Sequence, residues 1–558
     1  MRRTLFTYFC LACISMSCLN AQPKSRRSDV TVTALGTVGA ASVRIRRDPA
    51  SGIFYILQND GNILRIAFRP DGSVSDSIVY RPSDHGLNAP LGLAFGKDGT
   101  LYLVGNDSTG VLGTGTIVKG VPDIPGGFHR IWTVIARTVL YPYGHVYNHR
   151  MSGIIVSPAG DSLYVNSGAA TDHGELREGN REVGLTSIIL KLPVNGQNIT
   201  LEDDREWLRS NGYLLAEGIR NTFDFAYAGN GDLFGVENSG DRDDPEELNW
   251  IREGHHYGFP WRMGGNNTPQ QFTPYDPRHD LLLNPAAWGG GSLYTTFSND
   301  PTYPPPPDSV TFTEPIASSG PDADRYRDTT TGTVKDASTL GQEISTFTPH
   351  RSPDGIVFDR DSLLAGDLKG GGFVTSLATS VMLQALGDTS QDLVHLDLSK
   401  SGEGYTAHIT RIVSGFNAPL GIELDGSTLY VLETGLEMTN SSPKLWKVSL
   451  PADVRTGVAG RNTLPNSFEL LQNYPNPFNP STNIEFATPD AGMVTLAVYD
   501  VLGQQVQILV NGIVPAGTHH VQWNGRDSRG VSVGSGVYFY RLAAGLNHSS
   551  TKKMIVIR

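Results

Sequence analysis

Cysteine is scarce. The chain has 558 residues and three cysteines, Cys10, Cys13 and Cys18, all near its start. Everything after position 18 therefore lacks disulfides, so bound metal or sheer core size must supply stability to an exported form. Charge is thin as well: 18% of residues are charged, with 44 basic against 56 acidic side chains and a net charge of −12. An acidic balance of this kind repels nucleic acid and anionic membranes, so no nucleic-acid partner is expected. Beyond the first twenty-odd positions there is no apolar run long enough to span a bilayer, so no transmembrane anchor is expected. What the chain does have is turn formers, Gly 63 and Pro 34. They suit a turn-rich β protein better than a helical one.

The opening "MRRTLFTYFCLACISMSCLNAQPKS" places Arg2 and Arg3 before a short apolar run and Ala21 before Gln22. This is the pattern of a secretory signal peptide, residues 1–21, with cleavage after Ala21. Lipid attachment through Cys18 is the alternative. Losing Arg2 and Arg3 takes the charge from −12 to −14.

One phrase is written twice, "NAPLGLAFGKDGTLYLV" from Asn88 and "NAPLGIELDGSTLYVLE" from Asn417. Weaker copies begin at Val43, Met151, Thr222 and Ser352. Each is an alternating strand, a Gly/Asp turn and a second alternating strand, the signature of a hairpin. Six such units predict an all-β fold, a six-bladed β-propeller over residues 30–450. An insertion at about 262–346, carrying "TYPPPPDSV", is expected to be partly ordered at best. After a linker at 451–466 the composition changes. Residues 467–558 alternate apolar and polar residues in lengths typical of an immunoglobulin-like sandwich.

That last module begins "FELLQNYPNPFNPSTNIEFATP" and continues through "VYDVLG", "WNG" and "GVYFYR". It closely resembles the C-terminal (Por) sorting domain of type IX secretion cargo. The resemblance implies a protein secreted or held on the outer cell surface, with the type IX secretion machinery as a partner.

An acidic knot, "ENSGDRDDPEELNWIREGHHYGFP", spans 237–260. Asp241, Asp243, Asp244, Glu246 and Glu247 repel one another unless a cation, arginine or solvent compensates, and Ca²⁺ is the obvious cation for an exported protein. The wider stretch from Gly218 to Pro260 is similar to soluble PQQ-dependent glucose/sorbosone dehydrogenases, which are six-bladed propellers. That resemblance implies PQQ and Ca²⁺ as cofactors and a small sugar or polyol as substrate. It puts His149, in "NHRMSGIIVSPAGDSLYV", in the place of the catalytic base. Removing a hydroxyl proton ahead of hydride transfer is work for a neutral imidazole. Arg220 takes the place of an orienting cation, Asn221 and Lys369 those of cofactor-binding residues, and Ser239, Gly240 and Glu247 those of the metal loop.

The chain also departs from that pattern. Leu87 stands for a cofactor-contacting Gln, Asn148 for an Asp, and "SGFNAPLGIELDG" lacks a pair of arginines, with Arg411 out of register. Two functions follow. One is a PQQ- and calcium-dependent sugar or polyol dehydrogenase; the other is a surface binding propeller or sugar-lactone hydrolase on the same fold.

Overall fold

The computed structural model describes residues 22–557 apart from 124–126, 143–148, 178, 285–295, 379, 435–441, 454–467, 490–491, 515–516 and 545–547. The signal peptide, Asn148 and most of the linker lie outside the described residues. The molecule is all-β, a six-bladed propeller followed by an immunoglobulin-like sandwich. Two compact units are distinguished, one of Val43–Thr171, Arg177–Ala216 and Asp453–Arg558, the other of Met1–Ser42, Asp172–Leu176 and Glu217–Ala452.

In the first unit, blade 1 is Ser42–Arg47, Phe54–Gln58, Ile63–Phe68 and Val74–Tyr80. Blade 2 is Pro90–Phe95, Leu101–Thr109, Leu112–Pro122 and Arg130–Thr138, and blade 3 is Ile154–Val156, Ser162–Ser167, Ile188–Pro193 and Leu214–Glu217. Val104, Ile117, Ile135, Met151, Leu163 and Leu190 form their shared core.

In the second unit, blade 4 is Thr222–Tyr227, Leu233–Glu237 and Glu247–Ile251. Blade 5 is Pro353–Phe358, Gly372–Ser376, Asp392–Ser401 and Gly404–Ser414. Blade 6 is Pro419–Asp425, Thr428–Glu433 and Lys444–Ser449, completed by Thr31–Thr37, which pairs antiparallel along Lys444–Ser449. The last blade thus borrows its outer strand from the start of the chain, which covers an edge that would otherwise expose unpaired backbone groups.

Thr222–Tyr227 is buried along its whole length. A strand with apolar or hydrogen-bonded residues on both faces suits the inner position of a blade packed between sheets, and here it lies against Pro353–Phe358. Its return to Leu233 is made by "AGNGD", where Gly231 sits at φ 87° and Asn230 Oδ1 accepts from the Asp232 amide. Glycine takes that left-handed conformation without a Cβ clash.

The insertion is more structured than its composition suggests. Ala317–Pro321 pairs in parallel with Gly404–Ser414 on blade 5, Arg325–Arg327 pairs with Val334–Asp336, and Arg262–Met263 pairs with Asn266–Asn267. Its backbone groups find partners in neighbouring strands, which compensates for the shortage of apolar residues.

The C-terminal module has a three-stranded sheet, Glu469–Leu470, Thr482–Thr488 and Gly517–Trp523, and a four-stranded one, Gln505–Val514, Gly492–Tyr499, Gly536–Ala544 and His548–Val556. Trp523, Phe486, Val498 and Tyr540 form its core. The buried polar tips are satisfied: Trp523 Nε1 donates to Arg526 O at 2.9 Å, and Tyr540 Oη to Leu471 O at 2.7 Å.

Candidate functional site

Blade register decides which sequence candidates meet. Thr222 pairs with Glu237, and Glu237 with Glu247. Arg220 and Asn221 just before the first strand, Ser239 and Gly240 just after the second, and Glu247 at the start of the third therefore share one end of blade 4.

Arg220 is 3% exposed and largely committed. Its Nε donates to Asp172 O at 2.9 Å, Nη1 to Asn238 O at 3.1 Å and Nη2 to Asp172 Oδ1 at 2.7 Å. Burial alone would raise the Asp172 pKa, but Arg220 and His173 hold it well below the usual carboxylate range. The Asp241 amide faces both Asp172 oxygens at 3.3 Å. A Cβ on Gly240 would stand 3.0 Å from Asp172 Oδ2, so glycine lets the loop come this close. Asn221 Nδ2 donates to Asn238 Oδ1 at 2.6 Å.

Asp172 brings a histidine with it. His173 Nδ1 lies 3.1 Å from Asp172 Oδ2 and 3.5 Å from Glu175 Oε2. Ionised carboxylates only accept, so Nδ1 is the nitrogen that donates to them. Nε2 is buried and has no hydrogen-bond partner among the described residues. Phe297, from the insertion, stacks on the imidazole at 3.9 Å between ring centres and 20° between planes. The Tyr303 hydroxyl lies 2.7 Å from His173 O and 2.9 Å from Pro260 O, which ties the insertion to the end of the "GHHYGFP" stretch.

Behind Arg220 are two buried carboxyls. Asn249 Nδ2 donates to Glu237 Oε2 at 3.0 Å and to Glu247 Oε2 at 2.8 Å, while the Gly264 amide donates to Glu247 Oε1 at 2.7 Å. Desolvation pushes both up, Glu237 well above its ordinary value with help from the Glu247 charge, and Glu247 to about 7.

The acidic knot is compensated from within. Asp243 meets Arg327 Nε at 2.6 Å and His350 Nε2 at 2.8 Å. Asp244 meets Arg242 Nη1 at 2.6 Å and Asn266 Nδ2 at 2.9 Å. Glu246 accepts from the Ser352 amide at 3.1 Å. Among the described residues no group of three or more acidic, His or Cys side chains is arranged to hold a metal ion. The electrostatic reason for placing Ca²⁺ in this loop is thus met by arginines, a histidine and amides instead.

Two candidates lie elsewhere. Lys369 is exposed and follows the turn Gly366–Leu368, in the connection from Phe358 to Gly372. Ser352, at the far end of the Pro353–Phe358 strand, is the residue that touches blade 4 near Glu246 and Asn238. A strand of that length separates Lys369 from the Arg220 end by about 17 Å, because strands rise ~3.3 Å per residue. The structure thus does not bring Lys369 together with Asn221. His149 belongs to the other compact unit, half-buried, with its amide donating to Ala169 O at 3.2 Å. Arg411, out of register in sequence, is taken by Asp392 and Asp388, as is the fully buried Arg351.

This cation set does not fit PQQ. A cofactor with several carboxylates needs uncommitted cations. Arg220, Arg242, Arg327, Arg351 and Arg411 each already face protein carboxylates.

Asp172 and His173 went unmarked in the sequence. A signal was there: "TDHGE" follows the second strand of blade 3 as "NSGDRDD" follows the second strand of blade 4. Carrying the repeat phase from one blade to the next picks out both loops.

Residues 476–547 match the FlgD Ig-like domain. No curated protein matches the chain. Among solved structures, the PQQ-bound aldose sugar dehydrogenase of Streptomyces coelicolor is 16% identical, covering 77% of this chain and 100% of its own, with a TM-score of 0.43. The PQQ domain of Coprinopsis cinerea pyranose dehydrogenase is 13% identical, covering 77% and 97%, with a TM-score of 0.48. The apo-form soluble aldose sugar dehydrogenase of Escherichia coli is 14% identical, covering 75% and 99%, with a TM-score of 0.42. Likeness at this level carries no argument about activity, and the propeller assignment rests on the six sheets above.

Proposed function

We propose that the propeller binds a small neutral sugar or sugar derivative at the Arg220 end of blade 4 and works without a quinone. The observation that carries this reading is the charge inventory of that end. Its Arg220 is spent on Asp172 and Asn238, and the buried polar atoms left there without a partner among the described residues are Ser239 Oγ, Asn249 Oδ1 and His173 Nε2. Hydroxyl groups donate to such a surface, whereas a polycarboxylate is repelled by it.

The second reading is the PQQ- and Ca²⁺-dependent dehydrogenase with His149 as base. It is favoured by the retained Arg220–Asn221 pair and the ending Tyr257–Gly258–Phe259–Pro260. One experiment separates the two. The mature protein is dialysed against PQQ with and without Ca²⁺, and melting curves are recorded with chelator and with a panel of sugars, since a ligand of the folded state raises the melting temperature. Sugar-dependent stabilisation, no retained PQQ and no effect of chelator are expected. PQQ retained at micromolar concentration, with sugar-dependent dye reduction, would establish the dehydrogenase instead.

For the ends of the chain we propose export by residues 1–21 and sorting through the type IX machinery by residues 467–558. Support comes from the "QNYPNPFNPST" motif and a sandwich whose core is complete in itself.

A further inference from the structure

We infer that His173 is a general base for hydrolysis of a sugar-derived lactone, held in its tautomer by Asp172 and Glu175 and covered by Phe297. The inference rests on the sugar-binding reading above and adds a reaction to it.

Three observations converge. The imidazole is oriented from one side: both carboxylates face Nδ1, so the Nε2 edge is turned away from them. Nε2 is buried without a partner among the described residues, on a ring that is 6% exposed. An unmade hydrogen bond at a buried nitrogen is costly, and a bound water or substrate hydroxyl would remove that cost. Finally, the face of the ring is taken by Phe297, itself 1% exposed, in the parallel arrangement that a flat or chair-shaped ligand ring would adopt.

The chemistry needs no oxidant, reductant or metal. Water loses a proton to His173 Nε2 as its oxygen bonds to the lactone carbonyl carbon. The tetrahedral adduct collapses by breaking the ring C–O bond. The proton held on Nε2 passes to the departing ring oxygen, giving an open-chain hydroxy acid and regenerating the neutral imidazole. Asp172 and Glu175 are positioning residues that favour the imidazolium while it exists. The same carboxylates discriminate between substrate and product, since the lactone is neutral whereas the hydroxy acid ionises and is repelled. Phe297, stacked on the ring face, sets access to His173 and does no chemistry.

The test uses the full mature chain with D-glucono-1,5-lactone as probe, following proton release in a pH-stat above the spontaneous rate. Melting curves with and without sugar are run on every variant. Wild type is expected to exceed the blank, His173→Gln to lose about 10²–10⁴-fold, the usual contribution of a positioned base, and Phe297→Ala to raise kcat/KM. A His173→Gln protein that melts like wild type and keeps its rate would overturn the proposal. So would wild type and Phe297→Ala both failing to exceed the blank while sugar still shifts their melting temperature. If His173→Gln does not fold, an unchanged kcat/KM in a folded Phe297→Ala protein overturns it. If no sugar shifts wild type, the sugar reading has failed and this inference falls with it.

Discussion

Glu246 shows how one residue records the electrostatics of its loop. It is buried, its Oε1 takes the Ser352 amide, and its Oε2 has no partner among the described residues. Desolvation, with the Asp354 charge adding to it, raises its pKa from an ordinary 4.5 to about 8. The folded state therefore favours the protonated form. Its contribution to stability is full below pH 4.5 and is lost as pH rises from there through 8. Glu246→Gln keeps the acceptor and removes the charge. It should melt higher than wild type at pH 9 by an amount worth at least about 1 kcal/mol, and the gap should close near pH 4.5. Calorimetry at the two pH values checks this, and an equal gap at both would show that ionisation of Glu246 is not involved.

At the scale of elements, the strand Thr31–Thr37 closes blade 6, and its removal would leave the backbone of Lys444–Ser449 unpaired along one side. An open, flat edge is a template for association. A chain lacking residues 22–38 should therefore unfold at lower temperature and form aggregates. Light scattering during a thermal ramp measures both, and a monomer as stable as wild type would mean that closure contributes little. The insertion is the other instructive element. Read as composition it looks weakly structured, because proline-rich and polar stretches offer little apolar area to bury. Yet Ala317–Pro321 gains a hydrogen-bonded partner in blade 5, and Phe297 and Tyr303 reach the Asp172–His173 loop. Contacts between segments far apart in sequence supply what the local composition does not.

For the whole molecule, the sandwich has its own core of Trp523, Phe486, Val498 and Tyr540, and no part of the Arg220 site comes from it. A chain ending before Ser467 is expected to fold, to keep its sugar-dependent stabilisation, and to remain in the periplasm. Fractionation and melting curves check these outcomes separately. Normal appearance of the truncated chain outside the cell would remove the sorting role, and loss of sugar-dependent stabilisation would assign the sandwich a part in binding.

By itself the sequence determined the class of fold, the number of blades, and the clustering of Arg220, Asn221, Ser239, Gly240 and Glu247. Hairpin alternation and turn residues are local properties, and the residues flanking the strands of one hairpin are brought to one end by pairing register alone. Only the tertiary structure decided what those residues touch. That Arg220 is bound to Asp172, and that Asp243 of the acidic knot meets Arg327 and His350, depend on packing between segments separated by tens of residues. The same is true of His173 beneath Phe297. A linear pattern carries the identity of a charge but not its partner, and for a buried charge the partner determines whether it is free to hold a ligand.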